Sequence, residues 1–178
     1  DISDQTTTEA ERGLLGMTFS PDGSVLYLSS TDTEGNSRLA SYEMDGNAVV
    51  ASSRSVIYEI DQPYPNHNGG HISFGPDGKL WLGLGDGGAA DDPENRAQDP
   101  STDLGKIIRL DPATGTSEVV VSGVRNPWRF VFDADGRRRQ HLRRRHLFPA
   151  AGCRRQGRRT RRRRSHRRRR GAHRARLA

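Results

Sequence analysis

Short alternating apolar runs closed by turn dipeptides set the pattern of the first three quarters of the chain, and helical periodicity is nowhere sustained there. Three segments echo one another: FSPDGSVLYL from Phe19, FGPDGKLWLG from Phe74 and FDADGRRRQ from Phe132, their Phe residues 55 and 58 positions apart. Asp-Gly suits a tight hairpin turn, because Gly tolerates positive φ and Asp bonds its own neighbouring backbone. The runs that follow, Val25-Leu26-Tyr27-Leu28 and Leu80-Trp81-Leu82, predict buried strands. Further strands are predicted at 38–42, 49–60, Lys106–Leu110 and Ser117–Ser122.

A period in the fifties with about four short strands per unit is the pattern of propeller blades. The predicted fold is all-β, with a little over two such units, where a closed ring has about four to eight blades. A ring left open in this way exposes strand edges and half-covered faces. An ordinary β-sandwich with similar hairpins is the competing architecture.

Charge divides the chain. The formal net charge of +7 averages over 29 Lys+Arg and 22 Asp+Glu, but 20 of the basic residues, all Arg, fall in 137–178, which has no acid. The body, 1–136, therefore carries a net −13, and the overall charge describes neither piece. Cys153, in the tail, is the single cysteine, so no disulfide framework within one chain is available. No apolar run is long enough for a membrane-spanning helix. The chain opens at Asp1 with no Met and no charged-then-apolar leader, as expected of a processed product or a piece of a longer frame.

Four ordered motifs carry the candidate chemistry: GLLGMTFSPD at 13–22, NHNGGHISFGPDGKLWLGLGDGG at 66–88, AQDPSTDLGKIIRLDP at 97–112 and GVRNPWRFVFDADG at 123–136. Together they resemble the soluble quinoprotein glucose/sorbosone dehydrogenase family. The resemblance implies a partial six-bladed β-propeller of about two to two and a half blades. It also implies oxidation of sugar hydroxyls with pyrroloquinoline quinone (PQQ) and calcium, an external electron acceptor, and a periplasmic or secreted location.

By that resemblance His67 is the general base, since an imidazole of ordinary pKa about 6.5 can take a hydroxyl proton while hydride leaves the carbon for the quinone. Asp86 is expected to orient His67 and stabilise its imidazolium, with a plain turn residue as the alternative. Arg125 and Asn126 match the family's cofactor-binding pair. A planar Arg fork and an amide suit the three carboxylates and ortho-quinone of PQQ. Trp128 stands where glucose-type relatives have Gln, which points to stacking or packing. Glu11 is a candidate acceptor for a sugar hydroxyl, against an exposed loop acid. His71 falls off the base position and is expected to lead into a strand.

The acidic stretch from Asp86 through Asp91, Asp92 and Glu94 to Asp99 lacks the spacing of an EF-hand loop, so solvated loop charge is expected and no metal ligand is assigned. The family's calcium-holding carbonyls would follow the third hairpin, where this chain has its Arg-rich segment. That tail, 137–178, reads as a disordered polycation, which would bind nucleic acid or acidic surfaces nonspecifically and with strong salt dependence. A shifted reading frame in a GC-rich gene gives the same composition, and is the preferred origin. The expected function is a PQQ-dependent sugar dehydrogenase, inactive as this chain. The competing functions are a propeller binding module with a basic tail and, less favoured, a propeller metal hydrolase.

Overall fold

The computed structural model describes residues 1–133, Gly136 and the backbone of 138–140. Within them the chain is built of antiparallel strands, with two short 3₁₀ turns at Ser3–Gln5 and Ala51–Ser53. The predicted all-β, propeller-type fold is what is found.

The first blade comprises β1 (Leu14–Phe19), β2 (Val25–Thr31), β3 (Ser37–Asp45) and β5 (Ser55–Ile60) in chain order, with the two-residue β4 (Ala48–Val49) paired to the end of β3. The second blade repeats the order with β6 (Ile72–Phe74), β7 (Leu80–Leu84), β8 (Lys106–Leu110) and β9 (Ser117–Ser122). A third begins with β10 (Phe130–Phe132), which pairs with β11 (Arg138–Gln140). β11 lies inside the segment read as tail, so the seam at Gly136 falls in a hairpin. The expectations for 141–178 and for Cys153 lie outside the described residues.

The echo in sequence is an echo in register. Met17 faces Leu28 and Phe19 faces Leu26 in the first blade, as Ile72 faces Leu82 and Phe74 faces Leu80 in the second. Strand alternation then sends the two sides of each blade into different cores. Leu80, Leu82, Ile108 and Leu110 pack against Tyr27 and Leu39 of the first blade. Trp81 and Ile107, on the opposite face, pack against Val124 and Phe130, with Phe132 edge-on to the Trp81 ring at 5.3 Å. Each fully buried Leu or Ile contributes about 1.5–3 kcal/mol, so these two faces fix the stacking of the blades.

The predicted strand over 49–60 is broken. Ser53 Oγ donates to the Val50 carbonyl (2.6 Å) and accepts from the Glu43 N–H (2.7 Å). A side chain thereby takes the place of the ladder, the usual way a serine interrupts a strand. Among the described residues no helix is long and apolar enough to cross a membrane.

Candidate functional site

His67 lies in the loop between β5 and β6 with φ 57, a left-handed conformation uncommon for a side-chain-bearing residue. Backbone bonds from three directions hold it there. The His67 N–H donates to Glu11 Oε2 (2.7 Å), the Gly69 N–H to Asn126 Oδ1 (3.1 Å) and the Gly70 N–H to the Gly83 carbonyl (2.7 Å). On the remaining side Gly85 runs so close that any Cβ there would collide with the His67 carbonyl. The residue is 4 % exposed.

Asp86 follows the end of β7, and its N–H donates to the Arg125 carbonyl (2.9 Å), which ties it to the segment leaving β9. Its carboxylate is fully buried. Oδ1 pairs with His67 Nδ1 at 2.8 Å and accepts the Gly88 N–H at 3.0 Å. Burial pushes the Asp86 carboxyl above the usual carboxylate range, against the opposing pull of Gly88 and His67. Oδ2 is buried without a hydrogen-bond partner among the described residues. With Asp86 ionised, and so only an acceptor, the shared proton sits on His67 Nδ1 and the lone pair on Nε2. A neutral imidazole held in that tautomer carries its basic lone pair on Nε2.

Glu11 reaches this loop from the segment ahead of β1, its N–H donating to the Pro65 carbonyl (3.0 Å). The same carboxylate oxygen that takes the His67 N–H accepts from Asn126 Nδ2 at 3.1 Å. Asn126 thus has its side-chain carbonyl and one amide hydrogen engaged, and one amide hydrogen left over among the described residues. The structure therefore brings the side chains of Glu11, His67, Asp86 and Asn126 into one cluster, which Arg125 joins through its backbone carbonyl, although Glu11 and Asn126 stand 115 positions apart.

Beside the cluster opens a cleft of about 350 Å³ walled by Glu11, Leu14, Leu15, Asn126, Trp128 and Arg129, with Gly69 on its floor. Trp128 is 56 % exposed, and Arg129 lies over its ring at 5.6 Å. Neither Arg125 nor Arg129 forms an ion pair with a described residue. His71 sits at the entry to β6, edge-on to Phe130 at 4.5 Å. Burial first, then the Arg129 charge, holds its pKa below the usual imidazole value.

Two residues whose burial sequence reasoning missed organise the site's surroundings. Lys106 is 1 % exposed, and its ammonium donates to the carbonyls of Arg96 and Leu104, both at 2.8 Å. Burial lowers its pKa, with Asp103, Asp99 and Asp92 pulling the other way. Asp92, expected to be solvated, is 7 % exposed and accepts the N–H groups of Arg96 (2.8 Å) and Ala97 (3.0 Å). A backbone turn that presents two unpaired donors outcompetes water for this carboxylate. Among the described residues no group of three or more His, Cys, Asp or Glu side chains converges to hold a metal ion.

The sequence profile of the family described as Glucose / Sorbosone dehydrogenase matches residues 2–137. Among curated relatives, the HIPL2 protein of Arabidopsis thaliana is 36% identical over 114 residues, covering 48% of this chain and 16% of that protein. Among solved structures, the PQQ-bound aldose sugar dehydrogenase of Streptomyces coelicolor superposes with a TM-score of 0.66 at 26% identity, covering 78% of this chain and 44% of that one. A putative oxidoreductase (glucose dehydrogenase) of Thermus thermophilus gives 0.61 at 28%, covering 73% and 43%. The chain thus spans less than half of these structures and about a sixth of the curated relative.

Proposed function

The chain belongs to the glucose/sorbosone dehydrogenase family, and we propose that it carries the base-bearing part of a PQQ-dependent sugar dehydrogenase site. The observation that carries this reading is the buried His67–Asp86 pair at 2.8 Å, with Nε2 left as the basic atom. His67 Nε2 takes the proton of the sugar hydroxyl undergoing oxidation. Asp86 holds the ring in the required tautomer and stabilises the imidazolium that results, a role strengthened by its own desolvation. PQQ, when bound, supplies the two-electron acceptor.

Arg129 lines the cleft and lacks a carboxylate partner among the described residues, and a carboxylate of the cofactor would supply one. Arg125, adjacent in sequence to Asn126, is assigned to the cofactor by the family's pattern. The spare amide hydrogen of Asn126 adds a neutral donor, and the exposed face of Trp128 a planar surface. Calcium has no such support from the described residues, and no step is assigned to it.

The remaining parts of the reading follow the family. The substrate is an aldose or sorbosone-type sugar, the electrons pass to an external acceptor, and the parent enzyme is exported. The family match ends at residue 137. The division into a body of 1–136 and a frame-shifted 137–178 is part of the same proposal. Among the described residues two blades are complete and two strands of a third are present, and the 178-residue chain is expected not to turn over by itself. The purified chain, mixed with PQQ, calcium, glucose and a redox dye, is expected to leave the dye oxidised. Dye reduction that disappears in His67→Ala would refute the inactivity. Sequencing the gene across the codon for Gly136 tests the frame: an intact frame with no strand-coding alternative would remove that part.

A further inference from the structure

Glu11 was a candidate for touching sugar, but its contacts point elsewhere. Oε2 is a hub for two donors, the backbone N–H of His67 at 2.7 Å and the side-chain Nδ2 of Asn126 at 3.1 Å. The second link is completed by Asn126 Oδ1, which accepts the Gly69 N–H at 3.1 Å. A closed circuit of Glu11, His67, Gly69 and Asn126 results, and it joins the segment before β1, the loop before β6 and the segment after β9. His67 needs such a constraint. Its φ of 57 costs a non-glycine residue about 1–2 kcal/mol, and without an anchor its backbone would relax and carry the ring off Asp86.

Resting on the reading of His67 as the base, we propose that Glu11 is a positioning residue: its carboxylate holds the His67 backbone in the left-handed conformation and couples it to Asn126. Glu11 acts through His67, and its Oε2 is unavailable to a sugar hydroxyl while both donors are in place. The arrangement also makes Asn126 a mechanical link. Whatever engages its remaining amide hydrogen from the cleft pulls on the same carboxylate that holds the base.

The test uses the 178-residue chain and needs no cofactor. Hydrogen exchange and ¹H–¹⁵N spectra would be compared for the unsubstituted chain, Glu11→Ala and Glu11→Gln. Loss of a charge-assisted hydrogen bond predicts at least about tenfold faster exchange of the His67 amide in Glu11→Ala. The Asn126 side-chain amide resonances should move in the same variant, while the Leu82 and Ile108 amides of the second blade keep their rates. Glu11→Gln retains an acceptor oxygen, and should restore His67 protection to within about threefold. The proposal is overturned if His67 and Asn126 are unmoved in Glu11→Ala, or if the core amides speed up as much as His67. Should Glu11→Ala not fold, Glu11→Asp, which draws the carboxylate back by one methylene, takes its place: His67 exchange and Asn126 side-chain resonances both unmoved in it would overturn the proposal equally. These outcomes are separate from the catalytic reading. Turnover surviving His67→Ala would remove that reading, whereas unmoved exchange in Glu11→Ala removes only this one.

Discussion

Gly85→Ala puts the packing of the site to a numerical test. Gly85 is buried at the end of β7, has an ordinary φ, and accepts the Gly105 N–H at 2.6 Å. A methyl added there would strike the His67 carbonyl, with the His67 carbonyl carbon at 2.5 Å and its Cβ at 3.2 Å. Backbone cannot swing aside as a side-chain tip can, so the cost belongs at the top of the overpacking range, about 3 kcal/mol. For a body of this size that corresponds to a fall of about 10 °C in melting temperature. Gly78→Ala is the control. Its φ is 71 with nothing within 4 Å of the added carbon, so only the left-handed strain of about 1 kcal/mol applies. Urea midpoints at unchanged m would give both numbers. Gly85→Ala no more costly than Gly78→Ala would refute the backbone-on-backbone contact that holds His67.

The remaining predictions concern charge and burial. Burial and Arg129 hold His71 below the ordinary imidazole pKa. The unfolded chain therefore takes the proton first, and the stability His71 contributes is present above about pH 6.5 and lost as pH falls through the folded value. Urea midpoints at pH 7.5 and 5.5 should differ less in His71→Gln than in the unsubstituted chain, and equal differences would contradict the assignment. Lys106→Met removes a buried ammonium but orphans the carbonyls of Arg96 and Leu104. A net loss of about 1–3 kcal/mol is expected, together with faster tryptic cleavage after Arg96; unchanged cleavage would show that Lys106 does not organise the loop.

What could be read from the sequence, and what could not, divides by distance along the chain. The Phe-to-Asp-Gly echo foretold the blades because register within a hairpin is local, and Met17 and Ile72 duly occupy equivalent places opposite Leu28 and Leu82. His67 and Asp86 were paired beforehand only through the family's spacing; nothing local in Gly-Asp-Gly-Gly distinguishes a buried partner from a turn. Lys106 opens a strand where a lysine reads as surface, and its burial depends on two carbonyls of a loop whose path no periodicity encodes. Glu11 meets Asn126 across 115 positions, a contact that exists only once the blades have stacked. The break within 49–60 turned on one hydroxyl, Ser53 Oγ, competing with the strand ladder.

The claim on which the functional account rests is that His67 is the base. The most direct measurement is dye reduction by the protein expressed with the neighbouring frame that the proposed shift at Gly136 implies, supplied with PQQ, calcium and an aldose. His67→Ala should lower kcat/KM by about 10²–10⁴-fold, the range for loss of a positioned base. Activity within threefold of the unsubstituted enzyme would contradict the account.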